Sequence, residues 1–177
     1  MGQTLAPQIN WTRAGEAFSD KTLFGTNGVT VNDVNQGQLG NCWFLSSIAA
    51  LAASPGRIER MFLNPSNALS KNGIYGVNLW SLGVPHTIII DDWLPLREDR
   101  HGNLTTMFAQ VSGDGSLWAP LLEKAFAKYH GNYDHIAGGD TRIALKTLAG
   151  APSFKIEHKA EGEASKRDVK EHWDAVV

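Results

Sequence analysis

The residues from Trp43 to Ala53 constrain this chain more than any others. Trp43, Phe44, Leu45, Ile48, Ala49, Ala50, Leu51, Ala52 and Ala53 are interrupted only by Ser46 and Ser47, and the run holds no Gly or Pro. Such a run predicts a helix that is apolar on nearly every face, and a helix of that kind is buried in a core rather than laid on a surface. Cys42, the single cysteine, stands at its head, and a flexible Gln36-Gly37-Gln38-Leu39-Gly40 segment leads into it. The thiol is therefore expected where loop becomes helix, among backbone N–H groups that have no intrahelical partner. Those donors and the helix dipole favour a thiolate. Gln36 offers a side-chain amide that can face an oxyanion formed beside the sulfur. A lone Cys beside Trp and Leu is, on its own, more often a small core hydrophobe than a nucleophile, so its neighbours decide the matter.

Those neighbours form a series. The string QGQLGNCWFLSSIAAL closely resembles the active-site stretch of the calpain family of papain-like cysteine proteases, where Gln, Gly, Leu-Gly, Cys-Trp and Leu recur in this order. Ile90-Asp91-Asp92-Trp93-Leu94-Pro95 looks like the family's Val-Asp-Asp-x-Leu-Pro turn. Leu117 to Lys128 looks like its long helix, and Tyr133 with Gly138-Gly139 matches the loop that follows. The likeness covers about residues 20 to 160.

The resemblance implies an α+β, papain-like protease core. This chain would carry mainly the helical first core domain, with a central buried helix and a β-hairpin. Within it Cys42 would be the nucleophile and Gln36 the oxyanion donor, Gly139 would pair with substrate backbone, and Trp43 would pack beneath the cleft. A protease of this type also needs a His that accepts and returns the thiol proton and an Asn that orients it. In the family both come from the second core domain, in a Gly-His-Ala-type and an Asn-Pro-Trp-Gly segment, and neither segment occurs here. Of the six His, His172 lies about as far beyond Cys42 as a compact enzyme would place its base, but Lys170-Glu171-His172-Trp173-Asp174-Ala175 reads as a charged, solvated helix. The chain is expected to stop before its general base.

Calcium is the family's usual regulator, held in the first core domain by backbone oxygens, an Asp and a Glu. Hard oxygen ligands with several carboxylates are what Ca²⁺ requires. By resemblance Asp33 falls on that Asp, and Thr26 and Gly28 fall on the carbonyl positions. Ser116 stands in place of the Glu, with Asp114 close by, and Val31 replaces an arginine that couples the metal sites of the two core domains. The site is incomplete by motif, and no other cofactor is implied.

Composition sets the outer bounds. A length of 177 residues allows one domain and part of another, and 42% hydrophobic residues suffice for a sizeable core. The net charge is −2 with no Lys/Arg cluster, which argues against a nucleic-acid partner. No apolar run is long enough for a transmembrane segment. The N-terminus lacks a secretory pattern, and a single Cys suits a reducing compartment, so a cytoplasmic, intracellular setting is expected. The expected partners are protein substrates and a downstream second core domain.

In order, residues 1–20 read as an irregular arm with a short turn around Arg13–Phe18, 21–150 as the first core domain, and 151–177 as the start of the second. The buried helix runs from about Cys42 to Ala53, and a second helix is expected from about Arg57 to Phe62. Strands Gly73–Trp80 and Val84–Ile90 form a hairpin around Leu82-Gly83, with Pro85 at a strand start or edge. Residues 96–114 read as polar loop. A long helix runs from about Leu117 to His130 and ends at Gly131. Asp140 caps a further helix that ends at Gly150, and Ser153–Ile156 begins a strand. Two functional readings follow: a calpain-like cysteine endopeptidase, or a non-catalytic relative that binds proteins through the same cleft.

Overall fold

The structure, a computed structural model, describes residues 9–64, 66–98 and 102–153. The expected strand from Ser153, the terminal helix pattern, and His101, His158 and His172 therefore lie outside the described residues or reach beyond them.

Two helices make the centre. α2 (Cys42–Ala52) buries Phe44 and Ile48 completely, as its unbroken apolar run requires. α3 (Trp118–His130) buries Trp118, Leu121, Leu122, Ala125 and Phe126 on the face set by their helical spacing. The two meet through aromatic rings. Phe44 and Phe126 stack at 4.4 Å between centroids, and Trp43 meets Phe126 edge-on at 5.6 Å, a contact that adds geometric preference to area burial. Gly131, at φ 110°, ends α3. α4 (Thr141–Ala149) packs on α2; the Asp140 carboxylate accepts from the Arg142 N–H at its start, and Gly150 closes it at φ 65°.

The hairpin pairs β2 (Ile74–Ser81) with β3 (Val84–Asp91), in register from Ile74↔Asp91 to Ser81↔Val84. Its two-residue loop holds Leu82 at φ 50° and Gly83 at φ 81°, the left-handed pair that matches strand twist in a tight hairpin. β2 turns Tyr75, Val77 and Leu79 into the core, whereas β3 is largely exposed. Among the described residues β3 pairs with β2 alone, so Pro85 has no second ladder there to break.

Three expectations need correction. Residues 10–13, expected as part of an irregular arm, form β1 (Asn10–Arg13), whereas the short turn expected around Arg13–Phe18 is present as a single turn of helix, α1 (Ala14–Ala17). The stretch expected as loop from residue 96 begins inside β4 (Trp93–Glu98) and contains β5 (Leu104–Thr106). These segments make a three-stranded antiparallel sheet in the order β1-β4-β5. The first pairing joins residues some eighty positions apart, which local periodicity cannot reveal. The Arg13–Asp92 ion pair and the Ala14 N–H to Asp92 carbonyl bond, 2.8 Å, fasten that edge. The helix expected over Arg57–Phe62 is only a 3₁₀ turn at Glu59–Met61, because seven residues between Pro55-Gly56 and Asn64 cannot repay helix nucleation. With five strands beside four helices among the described residues, the architecture is α+β but less helical than expected.

Candidate active site

The start of α2 is built to expose one group. Cys42 is exposed while Asn41, before it, and Trp43, after it, are 1% and 9% accessible. The Asn41 carbonyl accepts from Phe44 N at 2.9 Å and Leu45 N at 3.0 Å, so the helix's own ladder begins at Phe44. Among the described residues, the amides of Cys42 and Trp43 have no acceptor, and no side chain caps the helix. Two N–H donors thus stand open beside the thiol, an arrangement suited to negative charge on or next to the sulfur.

The loop that holds Gly139 is pinned against this turn. Trp43 Nε1 donates to the Ile136 carbonyl at 3.0 Å, and Gly138 N donates to the Gly40 carbonyl at 2.8 Å. A Cβ at position 139 would fall within the Trp43 indole. Gly139 is therefore brought next to the nucleophile turn, and its lack of a side chain is required by Trp43 whatever else approaches it.

Gln36 lies on the other side of the same loop. Gln38 N donates to the Met107 carbonyl at 3.0 Å and Gln110 N to the Asn35 carbonyl at 2.9 Å, which bracket Gln36. Gly37 permits this, because a Cβ there would strike the Phe108 carbonyl. The exposed Gln36 side chain donates through Nε2 to the Leu39 carbonyl at 2.9 Å. The amide is held by its own loop rather than left free in solvent.

Two residues that the sequence reading passed over support this turn. Glu123 is 1% accessible on the buried face of α3. Its Oε1 accepts from Asn41 Nδ2 at 2.6 Å and its Oε2 from Ala109 N at 3.0 Å. Burial raises its carboxyl from the ordinary 4.5 to about 7, against the lowering effect of those two hydrogen bonds. The signal lay in the sequence: an acidic residue one position after Leu121-Leu122, on the apolar stripe of a helix, needs a partner.

The calcium expectation fares differently. Asp33 is 3% accessible and already accepts three hydrogen bonds: Thr30 N at 2.8 Å, Thr30 Oγ1 at 3.0 Å and Trp118 Nε1 at 2.8 Å. It caps its own 3₁₀ turn, Val31–Asp33, and ties that turn to α3. Ser116 is buried with its Oγ 2.9 Å from Ser112 Oγ. Asp114 is spent on Asn27 N, Ser116 N and Ser112 Oγ. These bonds outweigh its partial burial, which opposes ionisation, and hold its carboxyl below the usual range. No group of three or more His, Cys, Asp or Glu able to hold a metal occurs among the described residues. As placed, the Asp33 carboxylate is committed to protein donors rather than free for calcium, whose ion takes six to eight oxygens with several carboxylates among them.

No described imidazole is hydrogen-bonded to Cys42. His86 is exposed on β3, and His135 Nδ1 lies 2.8 Å from the His130 carbonyl at the end of α3. No described helix is long and apolar enough to cross a membrane.

An exposed cysteine thus stands at the start of a buried helix, with two unbonded amides and a pinned Gln-bearing loop beside it. The profile of the calpain family cysteine proteases matches residues 2–175. Calpain-5 of Caenorhabditis elegans is 35% identical over 153 residues, 84% of this chain and 23% of its own length. Calpain-12 of Homo sapiens is 35% identical over 147 residues, covering 82% and 20%, and the calpain-1 catalytic subunit of Sus scrofa 32% over 145 residues, covering 80% and 19%. The chain belongs to the calpain family of cysteine proteases. It spans a quarter or less of these curated relatives.

Two predictions follow from these side chains. Because the native Glu123 carboxyl holds a proton that the unfolded chain releases, the folded state binds more protons between pH 4.5 and about 7. Stability from this group is therefore full below about 4.5 and is lost as pH rises toward 7. Urea unfolding should show wild type losing ground to Glu123→Gln across that window, and a pH-independent difference would contradict the raised carboxyl. For calcium, calorimetry should detect binding only at millimolar level or weaker. Micromolar affinity abolished by Asp33→Ala would mean that the carboxylate leaves Thr30 and Trp118 for the ion.

Proposed function

We propose that this chain is the nucleophile-bearing part of a calpain-type, papain-like cysteine endopeptidase acting on protein substrates inside the cell. The observation that carries the reading is the exposed Cys42 at the head of a buried helix, with the Cys42 and Trp43 amides open beside it. In this reading the first core domain extends to residue 150 and takes in β1 and α1 at residues 10–17, and 151–177 begin the second. The second core domain supplies the His and Asn.

The chemistry assigns each group a task. The thiolate of Cys42 attacks the scissile carbonyl. The open amides and the Gln36 amide stabilise the oxyanion that forms. Gly139 lets extended substrate backbone lie close to the turn, and Trp43 is the floor that fixes that loop. Expulsion of the amine needs a proton, because the tetrahedral intermediate otherwise returns thiolate, and a helix N-terminus has none to give. That proton must come from an imidazole the described residues do not place at Cys42. Calcium enters no step, since the groups expected to bind it are committed elsewhere. The alternative, a non-catalytic cleft that only binds proteins, has no chemical use for both Cys42 and Gln36.

The 177-residue chain alone should be alkylated at Cys42 by iodoacetamide yet leave peptides uncleaved, and joining it to a family second core domain should raise turnover by orders of magnitude. Turnover by the isolated chain that vanishes in both Cys42→Ala and His172→Ala would instead make His172 the base. In the joined protein, Gln36→Ala should lower kcat by ~10²–10³ with the fold intact, as for one lost oxyanion donor. An unchanged kcat would leave the Gln36 amide to its bond with Leu39 alone.

A further inference from the structure

Asn is among the best helix N-caps because its side-chain oxygen accepts from the second or third amide of the helix. Asn41 occupies the cap position of α2 and does not do this. Its Nδ2 is drawn across to Glu123 Oε1 at 2.6 Å, and its Oδ1, in a residue only 1% accessible, has no hydrogen-bond partner among the described residues. A buried, unpartnered amide oxygen costs roughly 1–3 kcal/mol. The donors it would satisfy as a cap belong to the same turn, and Trp43 N is one of them. Glu123 is costly as well: a carboxylate in an apolar core with no cation beside it. The groups packed around it are Leu94 and Pro95 of β4, Thr106 of β5, Phe108, Ala109, Pro120 and Tyr133, of which Tyr133 alone titrates. Two unfavourable features therefore coincide on the residue that precedes the nucleophile.

We propose that Glu123 is a positioning residue for Cys42: it holds the Asn41 side chain off its own helix, so that the first-turn amides of α2 stay open to the charge that forms at the thiol. Both helices contribute. α3 fixes Glu123 within its buried stripe, and Ala109 N orients the carboxyl from the loop after β5. Released from Glu123, Asn41 would turn its Oδ1 onto Trp43 N and cap the helix. That would stabilise α2 while removing a donor from the site. A neutral hydrogen-bonding group at 123 still suffices, because it can accept from Ala109 N and donate to Asn41 Oδ1 once the amide turns over.

The inference rests on Cys42 being the nucleophile, but alkylation reads the thiol directly and requires no peptide turnover. A catalytically silent chain therefore leaves the test intact. The rate of Cys42 alkylation by iodoacetamide would be followed from pH 5 to 9, with thermal unfolding measured in parallel. Serine at 41 can cap α2 but is too short to reach Glu123, whereas alanine can do neither. Asn41→Ser should be alkylated about threefold to tenfold more slowly than Asn41→Ala below pH 8, the size of effect expected for one helix-terminal donor, while unfolding at a higher temperature. Glu123→Leu should slow alkylation by a similar factor when Asn41 is present and by less than twofold in Asn41→Ala. Glu123→Gln should restore most of the rate. The cycle separates positioning from the through-space charge of Glu123, which is lost in both backgrounds. Equal rates for Asn41→Ser and Asn41→Ala would overturn the proposal. So would a Glu123→Leu effect that persists without Asn41. Should Glu123→Leu fail to fold, the comparison at position 41 decides alone.

Discussion

The packing of α2 on α3 is the contact on which the rest of this molecule depends. Phe44 and Phe126 stack at its centre, Trp43 closes against Phe126, and the Asn41–Glu123 bond crosses at the same end. Fully burying side chains of this size contributes about 1.5–3 kcal/mol each, and it places the first turn of α2 to within the tolerance of a hydrogen bond. Everything at the site is then referred to α2. The loop with Gly139 is held through Trp43 Nε1, the Gln36 loop through Gly40 and Leu39, and the Val31–Asp33 turn through the indole of Trp118 on α3. The single cysteine is exposed here while its neighbours on both sides are buried.

The legible parts of the fold were those whose signals are local. The Cys42 helix, the Leu82-Gly83 hairpin, the long helix ended by Gly131 and the Asp140-capped helix all lie where turn residues and apolar spacing put them. The parts that escaped are set by partners far along the chain. Asn10–Arg13 is a strand only because Trp93–Leu96 lies beside it, and β5 is three residues long. Arg57–Phe62 has helical composition but too few residues between breakers to use it. The candidate site divides the same way. Cys42 and Gln36 are singled out by one short motif. Glu123 needed the knowledge that its stripe faces the cap of another helix.

Asp33 shows how a carboxylate can satisfy a motif and still be committed elsewhere. A metal ligand must be free to turn toward the ion, whereas this side chain already receives three donors in a site closed to water. Asp114, the nearest alternative, braces the Gly25–Asn27 loop against Ser112 and Ser116. Serine at 116 presents a buried hydroxyl here, hydrogen-bonded to that of Ser112. Neutral hydroxyls hydrogen-bonded to each other lower the demand for a cation, so the loops are held by protein donors where charge repulsion would otherwise call for one.

The same reasoning runs in the opposite direction at Glu123. Replacing a buried, uncompensated carboxylate by an apolar group of similar volume is commonly neutral or stabilising, and an Asn at a helix start gains most by capping it. A sequence shaped for stability alone would keep neither Glu123 nor the Asn41 rotamer that serves it. Local choices that oppose the fold's own preferences are expected where function imposes a cost. Here Asn41 directly precedes the only cysteine and Glu123 is hydrogen-bonded to Asn41, while the hairpin, α4 and the β1-β4-β5 sheet follow ordinary capping, turn and pairing rules. The first turn of α2 is thus left without a side-chain cap, and among the described residues the amides of Cys42 and Trp43 have no acceptor.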